Sequence, residues 1–267
     1  MKNIFITGIS SDIGMYLAEK FYTEEKFAVS GTYRTMNSSL EKLNEKRNMK
    51  LYCCDFSAKA ETKKLIHKLN ADKAEWDIFI SSVGTMEPIG RFLENDFEKW
   101  ERNIYLNTLS QLELLHGIAG MKRENAMVLF WAGGGTNGTF TNYSAYCISK
   151  IILIKMCELL YDEYPEWKIV IAGPGFIKTK IHNETFKAGM LAGDNLARTL
   201  HWFEDEECEE KSLKNVYQFV KWAYEQKKEI VSGRNFSIVH DDWKNDEALI
   251  SLLSNDENMY KLRRYGN

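Results

Sequence analysis

The sequence predicts an α/β fold, a doubly wound and seven-stranded parallel sheet flanked by helices. Two observations predict it. Short apolar runs alternate with longer amphipathic stretches along nearly the whole chain, the pattern that right-handed strand–helix–strand crossovers produce. Most of those runs are near-continuous rather than alternating, which suits strands covered on both faces. The run 4–7 is the first strand and the stretch 14–25 the helix that returns from it; 27–33 with 38–47, and 51–54 with 58–70, repeat the unit. A fourth strand at 78–83 feeds a long helical stretch at 97–121, a fifth at 127–131 feeds 143–164, and a sixth lies at 169–172. Residues 180–211 break the rhythm, with no strand and an acidic run from Glu204 to Glu210. That run reads as a solvated helix or loop face, or else as part of a flap over the active site. A helix at 213–227 and a seventh strand at 236–239 close the pattern, and none of the three prolines interrupts a segment. With no repeat or linker in view, residues 1–267 read as one domain with a flap near 180–211 and a short C-terminal extension.

Composition narrows the function classes. The formal net charge of -3, with cations scattered among acids, gives no attraction to nucleic acid. The longest apolar runs fall far short of the ~20 residues of a membrane span. Five cysteines and five histidines show no metal-ligand spacing. Met1-Lys2-Asn3 runs straight into a strand, so a cytoplasmic protein with reduced thiols is expected. Cys53 and Cys54 lie in an apolar run and are expected as buried strand filler.

The chemistry begins at the first strand–helix junction. Thr7-Gly8-Ile9-Ser10-Ser11-Asp12-Ile13-Gly14 follows the first strand and opens the first helix. A glycine at that turn lets backbone approach a pyrophosphate, and the helix offers free N–H groups and a positive dipole end. Asp12 stands where such loops usually carry another glycine, so its side chain must point away from the phosphates or cap the helix. Gly31-Thr32-Tyr33-Arg34-Thr35, at the end of the second strand, lacks the acid that an NAD binder offers to the ribose. Arg34 could instead hold the 2′-phosphate of NADP, so NADP is the expected cofactor with NAD as the alternative.

Tyr146 and Lys150 are four residues apart at the start of a helical stretch, which puts them on one face. An ammonium a few Å from a phenol favours the phenolate and is expected to lower the tyrosine pKa. The glycine-rich turn, Asn107, Tyr146, Lys150 and Gly173-Pro174-Gly175-Phe176-Ile177-Lys178-Thr179 occur in an order and spacing that resembles the short-chain dehydrogenase/reductase family, over about residues 1–240. The resemblance implies a Rossmann sheet ordered 3-2-1-4-5-6-7, with NAD(P)(H) across the carboxyl ends of the strands and a carbonyl/alcohol substrate. It implies Tyr146 as general acid/base, Lys150 as the group that lowers its pKa and binds the nicotinamide ribose, and Asn107 as part of a water-linked proton relay. It places Gly8, Ser10, Ser11 and Ile13 at the pyrophosphate turn and Asp55 with Phe56 beside the adenine. Ser82, Val83 and Gly84 fall beside the ribose, and Pro174, Gly175, Ile177 and Thr179 line the nicotinamide. It also implies a homodimer or homotetramer, packed through the helices that carry Asn107 and Tyr146.

One departure matters. The family usually has a serine at the end of the fifth strand, and counting back 13 residues from Tyr146 reaches Gly133, with Ala132 one step further. Loss of one oxyanion donor can cost about 10²- to 10³-fold in rate. Thr136 could supply the hydroxyl, backbone N–H groups of Gly133 to Gly135 could form a donor nest, or the chemistry has been lost or altered. A nucleotide-sugar epimerase or dehydratase, and a cofactor-binding regulator without turnover, therefore stand beside the reductase reading. Elsewhere, His182 reads as a surface histidine or a substrate contact, and Trp202 with Phe203 as packing of the flap or a substrate wall. Trp243 is expected on the sheet end, and Lys261, Arg263 and Arg264 in a solvated tail or facing a phosphate-bearing substrate.

Overall fold

The computed structural model describes residues 1–204 and 209–264. Strand β1 (Asn3–Thr7) leads into helix α1 (Asp12–Thr23), and β2 (Ala28–Tyr33), α2 (Ser38–Asn44), β3 (Met49–Cys53) and α3 (Lys59–Ala71) repeat the unit. β4 (Trp76–Ser81) is followed by α4 (Phe97–Ile104) and α5 (Ser110–Ile118), β5 (Lys122–Trp131) by α6 (Ser144–Glu163), and then comes β6 (Lys168–Gly173). Helices α7 (His182–Ala188), α8 (Asp194–Glu204), α9 (Glu209–Glu225) and α10 (Lys228–Val231) precede β7 (Asn235–Ser237), and α11 (Asp246–Asn255) follows it. The strands form one seven-stranded sheet, ordered β3-β2-β1-β4-β5-β6-β7 and parallel throughout. Fold class and strand order are as expected, and strand ends move by a few residues.

Burial follows the two-faced sheet. On one face Ile4, Ile6, Ile78, Ile80, Met127 and Leu129 pack with Leu17 and Phe21 of α1 and with Val216 and Phe219 of α9. On the other, Phe5, Phe79, Val128 and Phe130 pack with Leu65 of α3, Leu114 of α5 and Leu153 of α6. Each fully buried side chain of this size contributes roughly 1.5–3 kcal/mol. The cap residues read as helix starts: Ser11 accepts from the Gly14 N–H, Asn37 from Leu40, and Asp96 from Glu98 and Lys99.

Three expectations need correction. The stretch 97–121 is not one α-helix, because Tyr105–Leu109 widen into a π turn between α4 and α5. The extra residue turns Asn107 toward Asn103, Thr85 and Ser149, whose hydrogen bonds compensate for the irregular turn. Of the vicinal cysteines only Cys54 is buried, while Cys53 is exposed, because neighbours on an edge strand face opposite sides. The C-terminal segment is anchored rather than solvated: buried Arg234 donates to the carbonyls of Leu253, Asp256 and Met259, and Arg263 pairs with Glu158 at 2.7 Å. Trp243 is buried against Phe219 and Trp222 of α9, and its indole donates to the Ile238 carbonyl just past β7. The acidic run is described only in part, since residues 205–208 lie outside the described residues.

Candidate active site

Strand order reverses between β1 and β4, and Thr7 pairs with Ser81, Ser81 with Phe130, and Trp131 with Ala172. The carboxyl ends therefore align around a crevice at the switch point, the usual ligand position in such sheets. The cleft there encloses about 1060 Å³ and runs from Arg34 and Asp55 at one end to Tyr146, Lys150 and helix α7 at the other. That is slightly above the roughly 300–1,000 Å³ typical of small-molecule sites.

At the β1–α1 turn Gly8 has φ +62°, and a Cβ there would stand 2.9 Å from the Ser82 carbonyl oxygen. Only glycine fits, because the position needs both left-handed backbone and an open face. Thr32 fixes the turn from β2, its hydroxyl accepting from the Gly8 N–H at 2.9 Å and its carbonyl from the Ile9 N–H at 2.8 Å. Ser10, Ser11 and Ile13 line the cleft beside it. Asp12 points away from the turn: it accepts from the Lys180 N–H at 2.6 Å and pairs with the Lys180 ammonium at 3.3 Å. That contact ties the segment after β6 across the mouth of the cleft. Arg34 lies exposed on the wall, and Asp55 accepts from the Ser57 N–H and hydroxyl. Phe56, Ser82, Val83, Gly84, Pro174, Gly175, Ile177 and Thr179 complete the expected wall, with Ser82 held by the Trp131 indole at 2.9 Å.

Tyr146 and Lys150 meet at the other end. The Lys150 ammonium lies 5.7 Å from the Tyr146 ring centroid, over the ring face rather than at the hydroxyl. Burial holds the lysine down to about 8, and no hydrogen bond or ion pair reaches its ammonium among the described residues. Tyr146 departs from expectation: removal from water, with Cys147 and Glu184 adding to it, pushes the phenol up to about 12. Desolvation outweighs the lysine here because the charge is not placed on the oxygen. Asn107 does not line the cleft. Its amide donates to the Thr85 carbonyl, Asn103 and Ser149, and its oxygen accepts from the Thr85 N–H at 2.9 Å. A Cβ at Gly84 would be 3.6 Å from the Asn107 oxygen and 3.9 Å from the Lys150 ammonium, so both converge behind that residue.

The missing serine has a geometric counterpart. A Cβ at Gly133 would stand 2.6 Å from the Tyr146 hydroxyl, so the phenol occupies the space a side chain would need. The Thr136 hydroxyl folds back toward the Gly133 carbonyl at 3.4 Å and lines the cleft. Several wall residues were not singled out in the sequence. Glu184 on α7 accepts from the Met86 and Glu87 N–H groups and the Thr85 hydroxyl, and burial raises its carboxyl pKa. Phe140, stacked on Tyr143 at 4.3 Å, and Ile181 line the same end. No sequence period marks these positions, because they come from separate loops and the start of α7, far apart in the chain. His182 is not a surface residue: it stacks on Phe176 at 4.2 Å, with Trp202 and Phe203 on the same ring, and burial lowers its pKa. Among the described residues no helix is long and apolar enough to cross a membrane, and no group of His, Cys, Asp or Glu could hold a metal ion.

Known proteins share this fold. A family model described as short chain dehydrogenase matches residues 2–189. The uncharacterized oxidoreductase YIR035C of Saccharomyces cerevisiae is 26% identical over 182 residues, which is 67% of this chain and 71% of the yeast protein. Its crystal structure superposes with a TM-score of 0.77 at 21% identity, covering 93% of this chain and 98% of that one. The NADPH-dependent pterin aldehyde reductase of Arabidopsis thaliana is 23% identical over 192 residues, or 69% of this chain and 78% of the plant protein. BdcA, solved in complex with NADPH, has a TM-score of 0.70 at 19% identity, with 88% of this chain and 92% of that one covered. With more than half of its length matched by the family model, the chain belongs to the short-chain dehydrogenase/reductase family of oxidoreductases.

Proposed function

We propose that the protein is a cytoplasmic, NADP(H)-dependent reductase that interconverts a small-molecule carbonyl and its alcohol, with Tyr146 as acid/base. The observation that carries this reading is the buried Lys150 ammonium, which has no hydrogen-bond or ion-pair partner among the described residues and converges with Asn107 behind Gly84, one helical turn from the Tyr146 phenol. An unpaired buried cation costs several kcal/mol, and ribose hydroxyls would supply its missing acceptors. Gly8, Ser10, Ser11 and Ile13 would hold the pyrophosphate at the α1 N-terminus, Arg34 the 2′-phosphate, and Asp55 with Phe56 the adenine. Ser82 to Gly84 would meet the ribose, and Pro174, Gly175, Ile177 and Thr179 the nicotinamide. The nicotinamide, when bound, supplies the hydride. Tyr146, which holds its proton tightly, is in the form needed to donate it to the alkoxide that develops on the substrate. We read the chain as one dinucleotide-binding domain, with α7 and α8 as its substrate-facing flap. Exposed Phe92, Leu93, Phe97, Leu109 and Ile148, around α4 to α6, offer an apolar face for a second copy.

The absent serine favours a second reading, a cofactor-binding regulator without turnover. A panel of aldehydes and ketones with NADPH separates the two: multiple turnovers with any member exclude the regulator, and tight NADPH binding with none supports it. Arg34→Asp is expected to raise the Michaelis constant for NADPH by roughly 10- to 100-fold, because a hydrogen bond to a charged group contributes about 1.5–3 kcal/mol. An unchanged constant in steady-state kinetics removes the NADP assignment. The pH dependence has a definite sign. The Lys150 charge is lost as pH rises through about 8, while Tyr146 at about 12 keeps its proton. The profile of kcat/KM for reduction should therefore be level below about 8 and fall above it, and a profile level to about pH 10 contradicts the assignment.

A further inference from the structure

Building on the reductase reading, we propose that Glu184 selects the substrate: its carboxylate binds a cationic amine or amidine on a carbonyl compound whose flat or apolar body lies against Met86, Phe140 and Ile181. Of the other carboxylates on the cleft wall, Asp12 is paired with Lys180 and Glu87 with Lys187, Asp55 lies with Arg34 at the far end, and Asp241 accepts from the Ser237 N–H just past β7. Glu184 has no cationic partner among the described residues. Its Oε2 accepts from Met86, Glu87 and Thr85, whereas Oε1 meets only the Thr85 hydroxyl, at 3.0 Å. That hydroxyl has one proton to share between both oxygens, so Oε1 keeps acceptor capacity.

The surroundings give this capacity its weight. Met86 is buried, Phe140 stacks on Tyr143, and Ile181 packs in the same cluster beside Tyr146. Glu184 lines the cleft that holds Tyr146 and is close enough for its charge to raise the phenol pKa. Burial meanwhile raises the proton affinity of Glu184 itself. A half-buried carboxylate without a countercharge favours a ligand that brings one, and a planar amidine offers paired N–H donors as well.

Benzamidine and benzamide test this, since they share a ring and a planar head and differ in charge. Titration calorimetry on the NADPH complex should show benzamidine binding at least about tenfold tighter, the factor a hydrogen bond between charged groups supplies. Glu184→Gln should lose that preference and keep NADPH affinity. The glutamine oxygen can still accept from Met86 and Glu87, while its amide turns a donor toward the cleft. Equal binding of the two ligands by the wild-type protein overturns the proposal, and so does an E184Q variant that keeps the preference. If E184Q does not fold, the wild-type comparison alone decides. The reductase reading fails separately: Glu184-dependent benzamidine binding with no carbonyl ever oxidising NADPH would sink that reading and leave Glu184 as a cation-binding site without a role in turnover.

Discussion

Replacing Tyr146 with Phe is expected to lower kcat for carbonyl reduction by about 10²- to 10⁴-fold, the range a positioned acid contributes. The dissociation constant for NADPH should stay close to the wild-type value. The ring packs in a cluster with Met86, Ile89 and Tyr143, and phenylalanine retains that packing. Only the phenol oxygen is lost, and it has no hydrogen-bond partner in the protein among the described residues, so the fold should not suffer. Single-turnover kinetics with the loaded enzyme reads the chemical step directly. A variant that reduces substrate at the wild-type rate would show that the proton comes from elsewhere, with the Thr136 hydroxyl, which lines the cleft on the β5–α6 loop, a candidate.

Gly133→Ser is the second large effect, and its direction separates two accounts of the absent serine. If the hydroxyl were simply lost, restoring it would speed the reaction. The geometry gives the opposite expectation. A Cβ at this position comes within 2.6 Å of the Tyr146 hydroxyl and 2.7 Å of its ring carbon, so the phenol must move. A displacement of about 1 Å at the reacting group can cost about 10²-fold, and kcat should fall by that order. Gly133→Ala should fall as far, because the obstacle is the Cβ and not the oxygen. Circular dichroism and NADPH titration would confirm that both variants fold and bind. A Gly133→Ser variant faster than wild type would instead show that the tyrosine adapts and that the serine role was vacant.

The fold was legible because each strand carries its own signal. The six residues Trp76–Ser81 are buried throughout, as a central parallel strand requires, and the period of the intervening stretches is helical. The glycine turn of the cleft was legible for the same reason, since Gly8 and its neighbours are contiguous in the chain. The end beside Tyr146 was not. Glu184 reaches Thr85, Met86 and Glu87 from about a hundred positions away, and no local pattern announces that meeting. The charge logic of Tyr146 and Lys150 was only half legible. Spacing puts Tyr146 and Lys150 on one face, but the ammonium settles over the ring and desolvation sets the phenol pKa. Asn107 was singled out in the sequence, yet the π turn gives its side chain to Thr85, Asn103 and Ser149 rather than to the cleft.

Isotope transfer from NADPH deuterated at the nicotinamide C4 tests the central claim most directly. Mass spectrometry of the alcohol formed from a turned-over aldehyde or ketone should show one deuterium on the former carbonyl carbon, in step with cofactor oxidation. An alcohol without deuterium, or NADPH that binds and is never oxidised by any carbonyl of the panel, would contradict the account.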